Sequence, residues 1–146
     1  MALKFLSPIH KASRQIGLYL EGRCAELDLS TIEGHLLSYL RSYSPAPVSE
    51  LHRVFGIKRS TLTSIFDRLD ARGWVTRGPS RRDRRVVLVD LTDPGRIRAD
   101  AVQESVERLE SAINDSITPG ELQGFISVMS AISTVTVIPT KDRGTD

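Results

Sequence analysis

Residues 78–92 read Gly78-Pro79-Ser80-Arg81-Arg82-Asp83-Arg84-Arg85-Val86-Val87-Leu88-Val89-Asp90-Leu91-Thr92. The run Val86 to Leu91 is rich in β-forming residues. Trp74 to Arg77 gives a short strand before it, so the two predict a hairpin closed by Gly78-Pro79-Ser80 and the arginines that follow. The tip, Ser80 to Arg85, carries four arginines and one acid in six residues. Like charges held this close repel, and an anion among them relieves the repulsion. A phosphate backbone supplies such an anion, and a narrow minor groove draws arginine in. Asp83 can pair with a neighbouring guanidinium and fix its direction.

Upstream of the hairpin the periodicity is helical. Lys58 to Arg72 has an apolar face of Leu62, Ile65, Phe66 and Leu69, and an opposite face of Ser60, Thr63, Ser64, Asp67 and Arg68. Gly73 ends it. A shorter helix precedes it, Val48 to Phe55, with Leu51, Val54 and Phe55 on its apolar side and Gly56 as its stop. Helix, short turn, helix, then hairpin is the order of a winged helix-turn-helix, whose second helix lies in the DNA major groove. Ser60, Thr61, Thr63, Ser64 and Arg68 are then candidates for bases or nearby phosphates. Lys58 and Arg59 sit at the helix start, where phosphates meet free amides. Arg81, Arg82, Asp83, Arg84 and Arg85 are the candidates on the wing. An amphipathic helix alone would be commonplace; an arginine turn directly behind a helix-turn-helix is far more specific.

Further out, Leu6, Ile9, Ile16 and Leu20 predict a first helix from about Ser7 to Glu26. Ser30-Thr31-Ile32-Glu33 is a capping box that opens a second helix to about Tyr43, burying Leu36, Leu37 and Leu40. Ser44-Pro45-Ala46-Pro47 reads as a loop. Asp93-Pro94-Gly95 begins a long helix with the stripe Val102, Val106, Leu109 and Ile113. Thr118-Pro119-Gly120-Glu121 caps a last helix expected to bury Leu122, Phe125, Ile126, Met129 and Ile132. Residues 137–146 show no pattern and are expected to be a flexible tail.

The segment Asp83-Arg84-Arg85-Val86-Val87-Leu88-Val89-Asp90-Leu91-Thr92 fits the pattern D-x-R-x-x-x-V-x-L-T, and here the chain resembles the MarR family of bacterial regulators. Gly56 to Thr63 and Leu69 to Val75 are similar to that family's recognition-helix region, and the resemblance runs from about Ser7 to Ile132. It implies a mostly α (α+β) fold: a winged helix-turn-helix core at about 47–92 with a two-stranded wing, and dimerisation helices at about 1–28 and 96–136. It implies a homodimer gripping a pseudo-palindromic site on double-stranded DNA, with the residue at Arg85 reaching into the minor groove and that at Asp83 supporting it. It also implies a repressor released by a small, often phenolic or aromatic, effector. The family has no fixed effector motif, so no effector-binding residue is carried over. Lys58 stands where a capping Ser is common, which leaves that helix start without an assigned cap.

The charge distribution agrees with this reading. Between His52 and Arg85 ten Lys/Arg face three acids, a surplus of seven in a chain whose net charge is +2, so the remainder stands at −5. A basic middle between acidic flanks suits a polyanion. With 40% hydrophobic and 26% charged residues, the 146-residue chain suits one folded domain. No apolar run approaches the ~20 residues of a membrane span, and Met1 to His10 has no signal-peptide pattern. These absences predict no membrane partner and suit a cytoplasm, and the resemblance adds that the protein is bacterial and nucleoid-associated.

Cys24 is the single cysteine, which excludes an intrachain disulfide and a cysteine-built zinc site. It raises the alternative of a redox-sensing repressor, although it falls near the end of its helix and a packed small hydrophobe is the plainer reading. His10, His35 and His52 lack metal-ligand spacing, so no metal and no cofactor are expected. Phe5, Tyr19, Tyr39, Tyr43 and Trp74 can line a pocket, but core packing explains any one of them as well. There is no Gly-rich phosphate loop, nucleophile elbow or zincin helix, so no enzyme is expected. A second class of reading is a winged-helix module that binds protein and has lost DNA binding; the intact wing speaks against it.

Overall fold

Ser30 opens the second helix as expected: its hydroxyl accepts from Glu33 N at 3.2 Å, and the Glu33 carboxylate accepts from Ser30 N at 3.0 Å. The computed structural model describes residues 2–137. Among these the chain forms α1 (Leu6–Glu26), α2 (Thr31–Tyr43), β1 (Ala46–Pro47), α3 (Val48–Phe55), α4 (Arg59–Ala71), β2 (Val75–Pro79), β3 (Val87–Leu91), α5 (Asp93–Asn114) and α6 (Pro119–Val135). Backbone contacts divide it into two compact units, 1–107 and 108–146. The expected tail is described only at Val137; residues 138–146 lie outside the described residues.

The core of the first unit joins the faces read from the sequence. Leu36, Leu37 and Leu40 of α2, Leu51 of α3 and Leu62, Ile65, Phe66 and Leu69 of α4 are buried together with Val75, Val89 and Leu91 from the strands. Fully burying one such side chain is worth roughly 1.5–3 kcal/mol. This core fixes which side of α4 is left to solvent.

Two features differ from expectation. Ser44 to Pro47 is not simply a loop: Ala46 and Pro47 form β1 and pair antiparallel with Val89 and Leu88, giving a three-stranded sheet in the order β1-β3-β2. A residue before proline is driven toward extended backbone, so Ala46 is preset to pair, and it is fully buried. A two-residue strand has no periodicity to read. The second difference is that β2 runs on through Gly78 and Pro79, opposite Leu88 and Val87. Pro79 is tolerated because β2 is an edge strand.

The end of α4 is built by a Schellman turn. Gly73 (φ 76°) takes the left-handed conformation, Trp74 N donates to Leu69 O at 3.0 Å and Gly73 N to Asp70 O at 2.8 Å. The start of α5 comes close here: a Cβ on Gly95 would lie 1.8 Å from Trp74 O, so only glycine fits.

The last helix departs most from the sequence reading. Its capping box and N-terminal proline are as expected, with Thr118 Oγ1 accepting from Glu121 N at 3.3 Å. Yet α6 buries none of its residues: Leu122, Phe125 and Ile126 are exposed, and Met129 and Ile132 are half-buried. Of the first helix's apolar residues, Leu6 and Ile16 are exposed, Ile9 and Leu20 are half-buried, and only Cys24 of α1 is buried. The stripe on α5 is graded: Val102 is buried, Val106 and Leu109 half-buried, Ile113 exposed. These periodic faces exist, but among the described residues much of each stays exposed.

Candidate nucleic-acid interface

Because Leu62, Ile65, Phe66 and Leu69 turn inward, Lys58, Arg59, Ser60, Thr61, Thr63, Ser64 and Arg68 are all exposed. Lys58 is the residue before α4 and makes no side-chain cap, so the first amides of the helix are left without a side-chain acceptor. Two hydroxyls are less free than their exposure suggests: Thr63 Oγ1 donates to Arg59 O at 2.9 Å and Ser64 Oγ to Ser60 O at 3.2 Å. In these rotamers they face an outside partner as acceptors.

The wing tip is shaped by its own backbone. Ser80 N donates to Val86 O at 2.8 Å, Val86 N to Asp83 O at 3.0 Å and Arg82 N to Ser80 Oγ at 3.2 Å. Asp83 Oδ1 accepts from Arg85 N at 3.0 Å and lies 3.5 Å from Arg85 Nε, the contact suggested by the sequence. The Arg85 side chain is still 95% exposed. Among the described residues Arg81, Arg82 and Arg84 enter no ion pair, nor do Lys58, Arg59 and Arg68. The recognition helix and wing therefore carry uncompensated positive charge into solvent.

Between them lies a cleft of about 490 Å³ that brings Arg59 and Thr63 of α4 together with Arg85, Val86 and Val87 of the wing and Ser49 of α3. Of the sequence candidates, Arg59, Thr63 and Arg85 thus meet at one site. Arg81, Arg82 and Arg84 stand at the tip, and Ser60, Thr61, Ser64 and Arg68 along the helix.

Arg77 was counted in the charge surplus but missed as a site residue. Its guanidinium reaches back from β2 to α4, 2.7 Å from Asp67 Oδ1 and 3.2 Å from Asp70 Oδ2, and it lines the same cleft. The bond to Asp67 raises the Arg77 pKa above its ordinary value, opposed by partial desolvation. Two acids three residues apart on a helix meant for phosphate hint at an internal cation, but nothing in the sequence names which one. Exchanging Arg77 for glutamine is expected to cost about 1 kcal/mol of stability, the upper range for a partly exposed pair, measured by urea unfolding; an unchanged midpoint would contradict the brace.

Cys24 is 3% exposed and lies against Gly34, where a Cβ would come within 2.6 Å of its sulfur. Burial pushes the thiol pKa up, so the reactive thiolate is scarcer at neutral pH than in a free cysteine. Folded protein is expected to react with a thiol reagent at least about tenfold more slowly than unfolded protein; equal rates would restore the redox alternative. Among the described residues no group of three or more His, Cys, Asp or Glu is placed to hold a metal, and no helix is long and apolar enough to cross a membrane.

A profile of the MarR family matches residues 29–87, which span α2 to the start of β3. The transcriptional repressor NicR of Pseudomonas putida is 27% identical over 113 residues, 77% of this chain and 72% of that protein. The multiple antibiotic resistance protein MarR of Escherichia coli is 28% identical over 115 residues, 78% and 80% of the two chains. A crystal structure of a mutant Escherichia coli MarR complexed with operator DNA superposes with a TM-score of 0.72 at 25% identity, covering 86% of this chain and 91% of that one. From α2 to the start of β3 the chain matches the MarR family. MarR proteins are winged helix-turn-helix transcription regulators rather than enzymes. The fold alone is shared more widely: FabT of Streptococcus pneumoniae in complex with DNA gives a TM-score of 0.81 at 18% identity, over 88% of this chain and 92% of that one.

Proposed function

We propose that this MarR-family chain is a sequence-specific DNA-binding repressor that acts as a homodimer on a pseudo-palindromic site. The observation that carries the reading is the meeting of Arg59, Thr63 and Arg85 at one cleft, beneath a wing tip whose Arg81, Arg82 and Arg84 enter no ion pair among the described residues. Residues 47–92 form the DNA-binding part. In it α4 enters the major groove, with Ser60, Thr61, Thr63, Ser64 and Arg68 toward bases or nearby phosphates and Lys58 and Arg59 on the backbone. Arg81, Arg82, Arg84 and Arg85 hold the wing on phosphate and minor groove, and Asp83 orients Arg85.

Residues 1–28 and 96–136 carry the dimer. The support is physical: Leu122, Phe125 and Ile126 stand exposed on one helix and Leu6 and Ile16 on another, and apolar surface left in this way favours a protein partner. A second copy is always present and satisfies both at once. Release by a small aromatic effector belongs to the proposal through the family alone, as does a place in the bacterial cytoplasm.

Selection of bound fragments from a random duplex pool tests the reading. Enrichment of a two-fold symmetric motif with half-sites about 10 base pairs apart is expected, the spacing of one helical turn. A pool that stays random would overturn sequence-specific binding.

A further inference from the structure

Trp74 is the single tryptophan of the chain, and only 9% of it is exposed. Two guanidinia lie over its ring, Arg72 at 4.7 Å and Arg98 at 4.4 Å from the centroid. Neither has a carboxylate partner among the described residues. Each donates instead to a carbonyl just past the end of α1: Arg72 Nη1 to Asp28 O, and Arg98 Nη1 to Leu27 O at 2.6 Å. Those carbonyls lie at the negative end of the α1 dipole, which favours cations there. From the other side Thr92 N donates to Trp74 O at 3.1 Å and Thr92 Oγ1 to Gly73 O at 2.6 Å, where α5 begins.

We propose that Arg72 and Arg98, stacked on Trp74, are positioning residues that set the angle of the recognition helix and thereby its sequence discrimination. The proposal rests on the DNA-binding reading above. The C-terminal end of α4 is tied to α1 and α5, whereas its N-terminal end has no side-chain cap. Thirteen residues of helix make a lever of about 20 Å. A rotation of about 6° at the tied end moves the other end by about 2 Å, far outside the window of a hydrogen bond to a base edge. Long arginine and lysine side chains follow such a shift and keep their phosphates. The stack therefore governs the margin between the right sequence and a random one more than it governs non-specific affinity.

The test uses the full chain, a duplex enriched by pool selection and a random duplex. Arg72→Gln and Arg98→Gln are each expected to weaken binding to the selected duplex about tenfold while leaving the random duplex within about twofold. Arg98→Lys keeps the charge and a donor for Leu27 O but loses the planar face, and is expected to fall between. The double variant is expected to lose less than the product of the singles, because both act through one indole. Acrylamide quenching of Trp74 fluorescence rises in the glutamine variants and reports the opened stack. Loss of affinity for both duplexes in equal proportion, or unchanged discrimination with a demonstrably opened stack, would overturn the proposal. Should the glutamine variants unfold, the discrimination of Arg98→Lys decides, with an unchanged ratio counting against. A wild-type protein without sequence preference would sink the parent reading as well; preference that survives in the variants sinks this proposal alone.

Discussion

Replacing Arg85 with alanine is expected to weaken operator binding about 100-fold and to leave the melting temperature unchanged. Each arginine placed on DNA contributes about 1–3 kcal/mol, and the proposed dimer loses the contact twice. The side chain is 95% exposed, and its one ion partner among the described residues, Asp83, is 3.5 Å away, so folding gains little from it. The backbone bond from Arg85 N to Asp83 Oδ1 keeps the wing turn in the variant. Fluorescence anisotropy with the selected duplex measures the loss, and circular dichroism checks the fold. An affinity within twofold of wild type would remove the wing from the interface and revive the protein-binding alternative.

If the proposed homodimer forms through α6, Phe125→Glu is expected to convert it to monomer and, with it, to abolish operator binding at micromolar protein. The ring is 59% exposed in the single chain and is flanked by exposed Leu122 and Ile126. In a symmetric interface one substitution acts in both protomers. Losing a buried phenylalanine costs about 3–5 kcal/mol, and an unpaired carboxylate in its place adds to that. Two copies together weaken association by at least about four orders of magnitude, at 1.36 kcal/mol per tenfold. Analytical ultracentrifugation reads the mass directly. A variant that remains dimeric at micromolar concentration would show that α6 lies outside the interface.

Both predictions use faces that were visible in the sequence. The order of helices, the capping boxes at Ser30 and Thr118 and the inward face of α4 were legible because each follows from local periodicity or capping chemistry. What escaped was long-range. β1 is two residues with no period, and it exists because prolines preset Ala46 to meet Val89 across 43 positions. Arg77 sits on β2 while its acids sit on α4, so only folding reveals the pairing. The two guanidinia on Trp74 come from opposite sides of the hairpin, at Arg72 and Arg98. The last helix shows the opposite limit. Its apolar stripe at Leu122, Phe125 and Ile126 was legible, but periodicity names a face to be buried without saying which molecule buries it.

The central claim is that this fold reads a particular DNA sequence through α4 and the wing. Fluorescence anisotropy at several salt concentrations tests it most directly, comparing duplex from the region beside the protein's own gene, or the pool-selected site, with random duplex. Binding to the chosen site is expected to be at least about 1,000-fold tighter than to random duplex, with affinity falling steeply as salt rises. Equal affinity for chosen and random duplexes, or affinity indifferent to salt, would contradict it.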